Sequence, residues 1–230
     1  MRSFLSFFFL LSLAIAPPTY AQQYIPSGGS GLDADDVGTF TNKTYDVEAT
    51  GNVLTIPVKI WLPAAECNNA TAASLWDVPT SNGAAAACIT GSNTQKGVLD
   101  FDATTDESVE ISLLLPADFT GAIDARILWL AAATSGSVGW CVQLISAADA
   151  ETDDPAYPAQ GAGNCVSDVA KGTTNQLNIA TITGVTATGV AASELLHVRI
   201  SRDANGGAVT DDMTGDARLI GVELTIRRAM

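Results

Sequence analysis

Alternation with a period of two is the feature that most constrains this chain. In the run 53–62, the residues Leu54, Ile56, Val58, Ile60 and Leu62 fall on one side of an extended strand. Pro57 inside that run removes a backbone donor, so the strand is expected at a sheet edge. The pattern returns at Val109, Ile111, Leu113 and Leu115, where Pro116 ends it, and again at Ile123, Ala125, Ile127 and Trp129. It continues at Trp140, Val142 and Leu144, at Leu177 and Ile179 leading into Ile182, and at Leu196, Val198 and Ile200. The last run starts at Leu219 or Ile220 and proceeds through Val222, Leu224 and Ile226. Weaker strands are expected near Leu75–Val78 and Val98–Phe101. No segment carries the 3.6-residue spacing of an amphipathic helix; the Ala84–Ala87 run is too short, and Asn82-Gly83 before it reads as a turn. Many short antiparallel strands imply an all-β sandwich or barrel, with the aliphatic rows as its core. Trp129 and Trp140 are expected on neighbouring strands, packed together inside.

Composition removes several classes of function. The chain has 230 residues, 47% hydrophobic and only 16% charged, which is not the make-up of a disordered protein. Its net charge of −14 excludes nucleic acid as a partner, because phosphate contacts need Lys and Arg. The same excess argues against binding to an anionic membrane surface.

The first residues read as an export signal. Arg2 precedes the apolar run 4–16; then come Pro17-Pro18 and the small residues Thr19 and Ala21, which place cleavage after Ala21. The expected organisation is a signal peptide over 1–21, an arm or linker over 22–51 containing Gly28-Gly29-Ser30-Gly31, and a β-sandwich over 52–230. No membrane span is expected after signal cleavage. The protein is therefore expected to be secreted, periplasmic or at a cell surface. Cys67, Cys88, Cys141 and Cys165 agree with an oxidising compartment, and with His197 as the one histidine a Cys/His zinc site is not expected. Three pairings are open to four cysteines; the local ones, Cys67–Cys88 and Cys141–Cys165, are favoured, with free thiols as the alternative.

Catalytic constellations are weak. His197 sits between core-facing Leu196 and Val198, so it faces outward, and no Gly-x-Ser-x-Gly elbow accompanies it. Asp100, Asp102, Asp106, Glu107 and Glu110 supply carboxylates for glycoside hydrolysis, but such residues more often flank strands and bond to turn amides. The chain is read as a non-enzyme without a cofactor. The one metal with sequence support is calcium, on the acidic loop Asp149, Glu151, Asp153 and Asp154, whose spacing is not that of an EF-hand; a solvated loop is favoured. Arg202 and Asp203 lie at one end of a polar loop and Asp216 and Arg218 at the other. Pairs of Arg202 with Asp216, or Arg218 with Asp203, are expected to pin the final hairpin.

A resemblance sharpens the fold. Leu99-Asp100-Phe101-Asp102-Ala103-Thr104-Thr105-Asp106-Glu107, then Leu115-Pro116-Ala117-Asp118-Phe119-Thr120-Gly121, and at the end Val198-Arg199-Ile200-Ser201-Arg202-Asp203 followed by Thr214-Gly215-Asp216-Ala217-Arg218-Leu219-Ile220-Gly221-Val222-Glu223-Leu224 are similar to a recurring jelly-roll domain of tailed-phage and prophage-related proteins of unassigned function. It spans Gly97 to Arg227 and implies a two-sheet antiparallel jelly-roll β-sandwich, with no catalytic residues attached. The signal peptide and the cysteines depart from that pattern and point to an exported, disulfide-stapled relative. Two functions follow. The first is a non-catalytic structural or adhesion module, part of an extracellular or virion-like appendage, with protein partners or self-assembly. The alternative is a lectin-like, carbohydrate-binding module, assisted by calcium. Sugars stack on exposed aromatics; the candidates are Trp61, Trp76, Tyr157 and Tyr24, of which Trp76 and Tyr157 fall in loop-like stretches and are favoured.

Overall fold

The structure is a computed structural model that describes residues 54–229, apart from Ala162 and Thr188. The expected signal peptide over 1–21 and arm over 22–51 lie outside the described residues. The chain forms β1 (Thr55–Pro63), β2 (Ala65–Asn68), β3 (Thr71–Ser74), β4 (Ala85–Thr90), β5 (Gln95–Phe101), β6 (Glu107–Leu114), β7 (Phe119–Ala131), β8 (Ser137–Ala147), β9 (Cys165–Val169), β10 (Leu177–Val185), β11 (Leu195–Arg202) and β12 (Ala217–Ala229). These build two antiparallel sheets. The larger runs β10-β7-β12-β5-β2-β3, with β1 on β12 and β4 on β5; the smaller runs β6-β11-β8-β9. The molecule is an all-β sandwich of the jelly-roll type, and among the described residues there is no helix.

The core is the sum of the alternating rows. Val109 of β6, Trp140, Val142 and Leu144 of β8 and Leu196, Val198 and Ile200 of β11 face Ile123, Ala125, Ile127 and Trp129 of β7 and Val222, Leu224 and Ile226 of β12. Trp129 and Trp140 do meet, edge to face with ring centres 6.1 Å apart. They belong to opposite sheets rather than neighbouring strands, so the contact bridges the core instead of running along one sheet. Phe101 closes on Trp140 from the side, again edge to face.

The doubtful start of the last strand has a physical origin. Ala217 and Leu219 point inward, and so do Val222, Leu224 and Ile226, because a bulge between Leu219 and Gly221 switches the parity. At that bulge β12 changes neighbour, from β5 at Ala217–Leu219 to β1 from Gly221 onward. Gly221 is required there: a Cβ would lie 2.6 Å from the Leu62 carbonyl oxygen and 2.6 Å from the Trp61 ring. Among the described residues β1 borders β12 alone, the edge position expected from Pro57.

Two strand readings are corrected. Leu177 and Ile179 point outward and are exposed, while Asn178, Ala180 and Ile182 face in. Asn178 is tolerated in the core because its amide is engaged at both ends: its Oδ1 accepts from the Lys171 amide and its Nδ2 donates to the Gln176 carbonyl. The stretch Leu75–Val78 is a bend joined to β6 by one bridge, Asp77 to Glu110, rather than a strand. Both cysteine pairs form locally, Cys67 with Cys88 and Cys141 with Cys165.

Candidate functional site

The central part of the smaller sheet's outer face is polar, with Ser108, Glu110 and Ser112 of β6, Gln143 of β8 and His197, Arg199 and Ser201 of β11 on it. In the middle of it, strand register puts Arg199 of β11 between Glu110 of β6 and Gln143 of β8. Arg199 donates from Nε and Nη2 to Glu110 Oε1, at 2.8 and 2.6 Å. The phenol ring of Tyr157 covers the guanidinium, 3.9 Å from carbon to ring centre. Burial pushes the Tyr157 hydroxyl above its ordinary range, and the Glu110 charge adds to the effect, so the phenol stays protonated.

Tyr157 reaches this place because the long connection after β8 folds back across the sheet. Gln143 donates to the Pro158 carbonyl, Gln160 donates to Ser201 Oγ at 2.8 Å, and the Cys141–Cys165 bond closes the segment at its base. Further along, Ser112 Oγ is 2.9 Å from Nδ1 of His197, and Asp153 stands 2.9 Å from Nε2 at ion-pair distance but without hydrogen-bond alignment. Between this strap and the turn at Asn82 runs an open groove of about 380 Å³, lined by Asn82, Glu107, Glu110, Gln143, Gln160 and Arg199 among others. Its groups are mostly held in place before any ligand arrives. Glu107 accepts from the Asp102 amide at 2.7 Å, and Asp106 is gripped by the backbone and side-chain nitrogens of Asn205. Burial raises the Glu107 carboxyl above its usual range; the charges of Asp102 and Asp216 raise it further, against the pull of the Asp102 amide.

The residues singled out from sequence scatter. Tyr157 does not line the groove itself but stacks on Arg199, which does. Trp76 is not part of it: it is 4% exposed, and its Nε1 donates to the Pro63 carbonyl at 2.9 Å, so it packs as core. Trp61 is the exposed tryptophan, and it lies on the other sheet. The acidic loop does not gather: Glu151 accepts from the Ala148 amide, Asp153 turns to His197, and among the described residues no three His, Cys, Asp or Glu side chains converge on a metal position. The ion pairs at the last hairpin have other partners than expected. Arg202 pairs with Asp211 and Arg218 with Asp100 at 3.2 Å. Asp203 accepts from the amides of Gly207, Ala208 and Val209, closing its own loop. Asp216 stands near enough to Asp100 and Glu107 for its charge to raise both. The Arg199–Glu110 pair went unseen in the sequence, since each residue was legible as outward-facing but the register joining them was not.

No protein-family model matches the chain, and no curated protein matches it. Among solved structures it is similar to a family 35 carbohydrate-binding module from Clostridium thermocellum, at 12% identity over 73% of this chain and 97% of that one, TM-score 0.39. A carbohydrate-binding module specific for non-crystalline cellulose, CBM28, is 10% identical over 67% of this chain and 85% of its own, TM-score 0.39. The enzymatically active domain of bacteriophage CBA120 tailspike protein 4 is 8% identical over 76% of this chain and 19% of its own, TM-score 0.31.

Proposed function

We propose that the chain is an exported, non-catalytic adhesion module that binds a neutral glycan in the groove on its smaller sheet. The observation that carries this reading is the Glu110–Arg199–Tyr157 stack, in which the Tyr157 ring backs the guanidinium and Glu110 and Arg199 stand as fixed hydrogen-bonding groups lining an open polar trough. Sugar hydroxyls pair well with planar polar side chains of this kind, and groups held rigidly before binding lose little entropy on complex formation. Asp106, Glu107 and Glu110 outweigh the single Arg199 in charge, so the groove disfavours acidic sugars. Each of these carboxylates is already held by a donor, which suits binding better than proton transfer to a glycosidic oxygen. Two disulfides support an oxidising, extracytoplasmic setting. A glycan array probed with the full chain, and then with Arg199→Ala, tests the reading. Binding to a neutral glycan that the variant loses is the expected result; a parent chain that binds no glycan overturns it.

A further inference from the structure

The larger sheet carries an exposed tryptophan beside a charged cluster, on residues separate from those of the groove. Trp61 of β1 is 47% exposed, whereas the other three tryptophans, Trp76, Trp129 and Trp140, are buried. Its ring rests against Gly221, the position whose missing side chain lets indole and backbone approach. Strand register then lays out one row across four strands: Trp61 opposite Glu223, Glu223 opposite Arg126, and Arg126 opposite Thr181. At the usual strand spacing that row is about 14 Å long, room for a short oligosaccharide.

The electrostatics of the row are specific. Glu223 Oε1 takes both Lys59 Nζ, at 3.0 Å, and Arg126 Nη1, at 2.9 Å. None of the described hydrogen bonds engages its other oxygen, Oε2. Hydrogen bonds from Lys59 and then Arg126 hold the Glu223 carboxyl below its usual range, so it is an ionised, oriented acceptor. An exposed indole face, a fixed carboxylate oxygen and flanking ammonium and guanidinium donors are the groups that recognise a pyranose. The apolar C–H face packs on the ring while adjacent hydroxyls pair with acceptor and donors.

We infer that Trp61, Glu223, Lys59 and Arg126 form a second glycan-binding platform on the sheet opposite the groove, one that takes neutral pyranosides. It shares with the groove reading only the class of ligand and stands on different residues. With both sites occupied the module would bridge two strands of polysaccharide, which raises avidity without any new contact.

Since Trp61 alone among the tryptophans is open to solvent, iodide quenching of the intrinsic emission reports this platform. The full chain is titrated with hydroxyethylcellulose, soluble β-1,4-galactan and galactomannan. At least one should reduce the quenching constant about twofold or more. Arg199→Ala should show the same protection, and Glu223→Gln should need about tenfold more polysaccharide to reach it, the loss of one charge-assisted hydrogen bond. The inference is overturned if none of the three shields Trp61, or if Arg199→Ala abolishes the shielding. Should the groove reading fail instead, Arg199→Ala would leave all binding intact and Trp61→Ala would remove it.

Discussion

Arg202 and Asp211 meet fork to fork inside the sandwich, Nε to Oδ2 at 2.8 Å and Nη2 to Oδ1 at 2.9 Å, with both side chains shut off from solvent. The remaining guanidinium hydrogens go to the carbonyls of Phe101, Gly215 and Met213, so all five donors are used. The cluster ties β11 of the smaller sheet to β5 of the larger and to the loop between β11 and β12. Arg202→Ala leaves the buried Asp211 carboxylate with the Gly139 amide but no counter-charge, takes a donor from three carbonyls, and is expected to cost about 3–5 kcal/mol. Arg202→Lys should recover little of this, since an ammonium cannot reproduce the fork. Urea denaturation checks both; a midpoint equal to the parent's would contradict the account.

The pair Arg199–Glu110 is a contrasting case, because each side chain keeps about a third of its surface exposed. Arg199→Ala should therefore move the melting temperature little. It removes the support of Tyr157 and frees Glu110 to shift, so binding of any groove glycan should weaken tenfold or more by calorimetry, in line with loss of a charge-assisted hydrogen bond.

The two disulfides close loops of similar size, 21 and 24 residues apart in sequence, so removing either should cost roughly 3 kcal/mol by loop entropy. Their functional effects should differ. Cys141 and Cys165 anchor the strap that carries Tyr157 and Gln160, whereas Cys67 and Cys88 staple the β2 and β4 region of the other sheet. Replacing the first pair with alanine should impair groove binding at temperatures where the protein is still folded. Replacing the second should leave it intact.

Glu107 predicts an unusual pH response. Its carboxyl holds a proton more tightly in the folded chain than in the unfolded one, burial being the main cause. The stability it contributes is therefore complete below its ordinary value of 4.5 and is lost as pH rises through the raised folded value. Glu107→Gln keeps an acceptor for the Asp102 amide and removes the charge. The variant should melt above the parent at pH 7, and the gap should close below pH 4.5. Paired melts at the two pH values decide it.

Gly221→Ala tests the seat of Trp61. The added methyl meets a backbone oxygen and the indole at once, so it should displace β1 and cost about 1–3 kcal/mol. Iodide quenching of the emission should change with it.

The sequence was most legible where one physical requirement acts on each residue in turn. Burial of alternate side chains gave β6, β7, β8 and β11, and Pro57 gave an edge. It was least legible where packing overrode alternation. Leu177 and Ile179 look like core, yet the buried face of β10 belongs to Asn178, Ala180 and Ile182. The short strands β2, β3, β4 and β9 bury too little to leave a periodic trace, and three of them, β2, β4 and β9, are placed by disulfides as much as by side chains. Site residues followed the same division. That Glu110, Arg199 and Gln143 point outward can be read from their neighbours. That they form one row depends on register between strands separated by long loops, which local pattern does not encode. Trp76 misled for a related reason: a loop was equated with exposure, though its indole is folded under β1.

The pairing of β1 with β12 has a mechanical consequence. Thr55 is the partner of Ala229, so the strand by which the chain enters the sandwich and the strand by which it leaves lie side by side and run in opposite directions. A load applied between those two points would open the ladder bond by bond from that end, like a zip, rather than shearing all its bonds together. A tether drawn through one end alone bypasses the ladder.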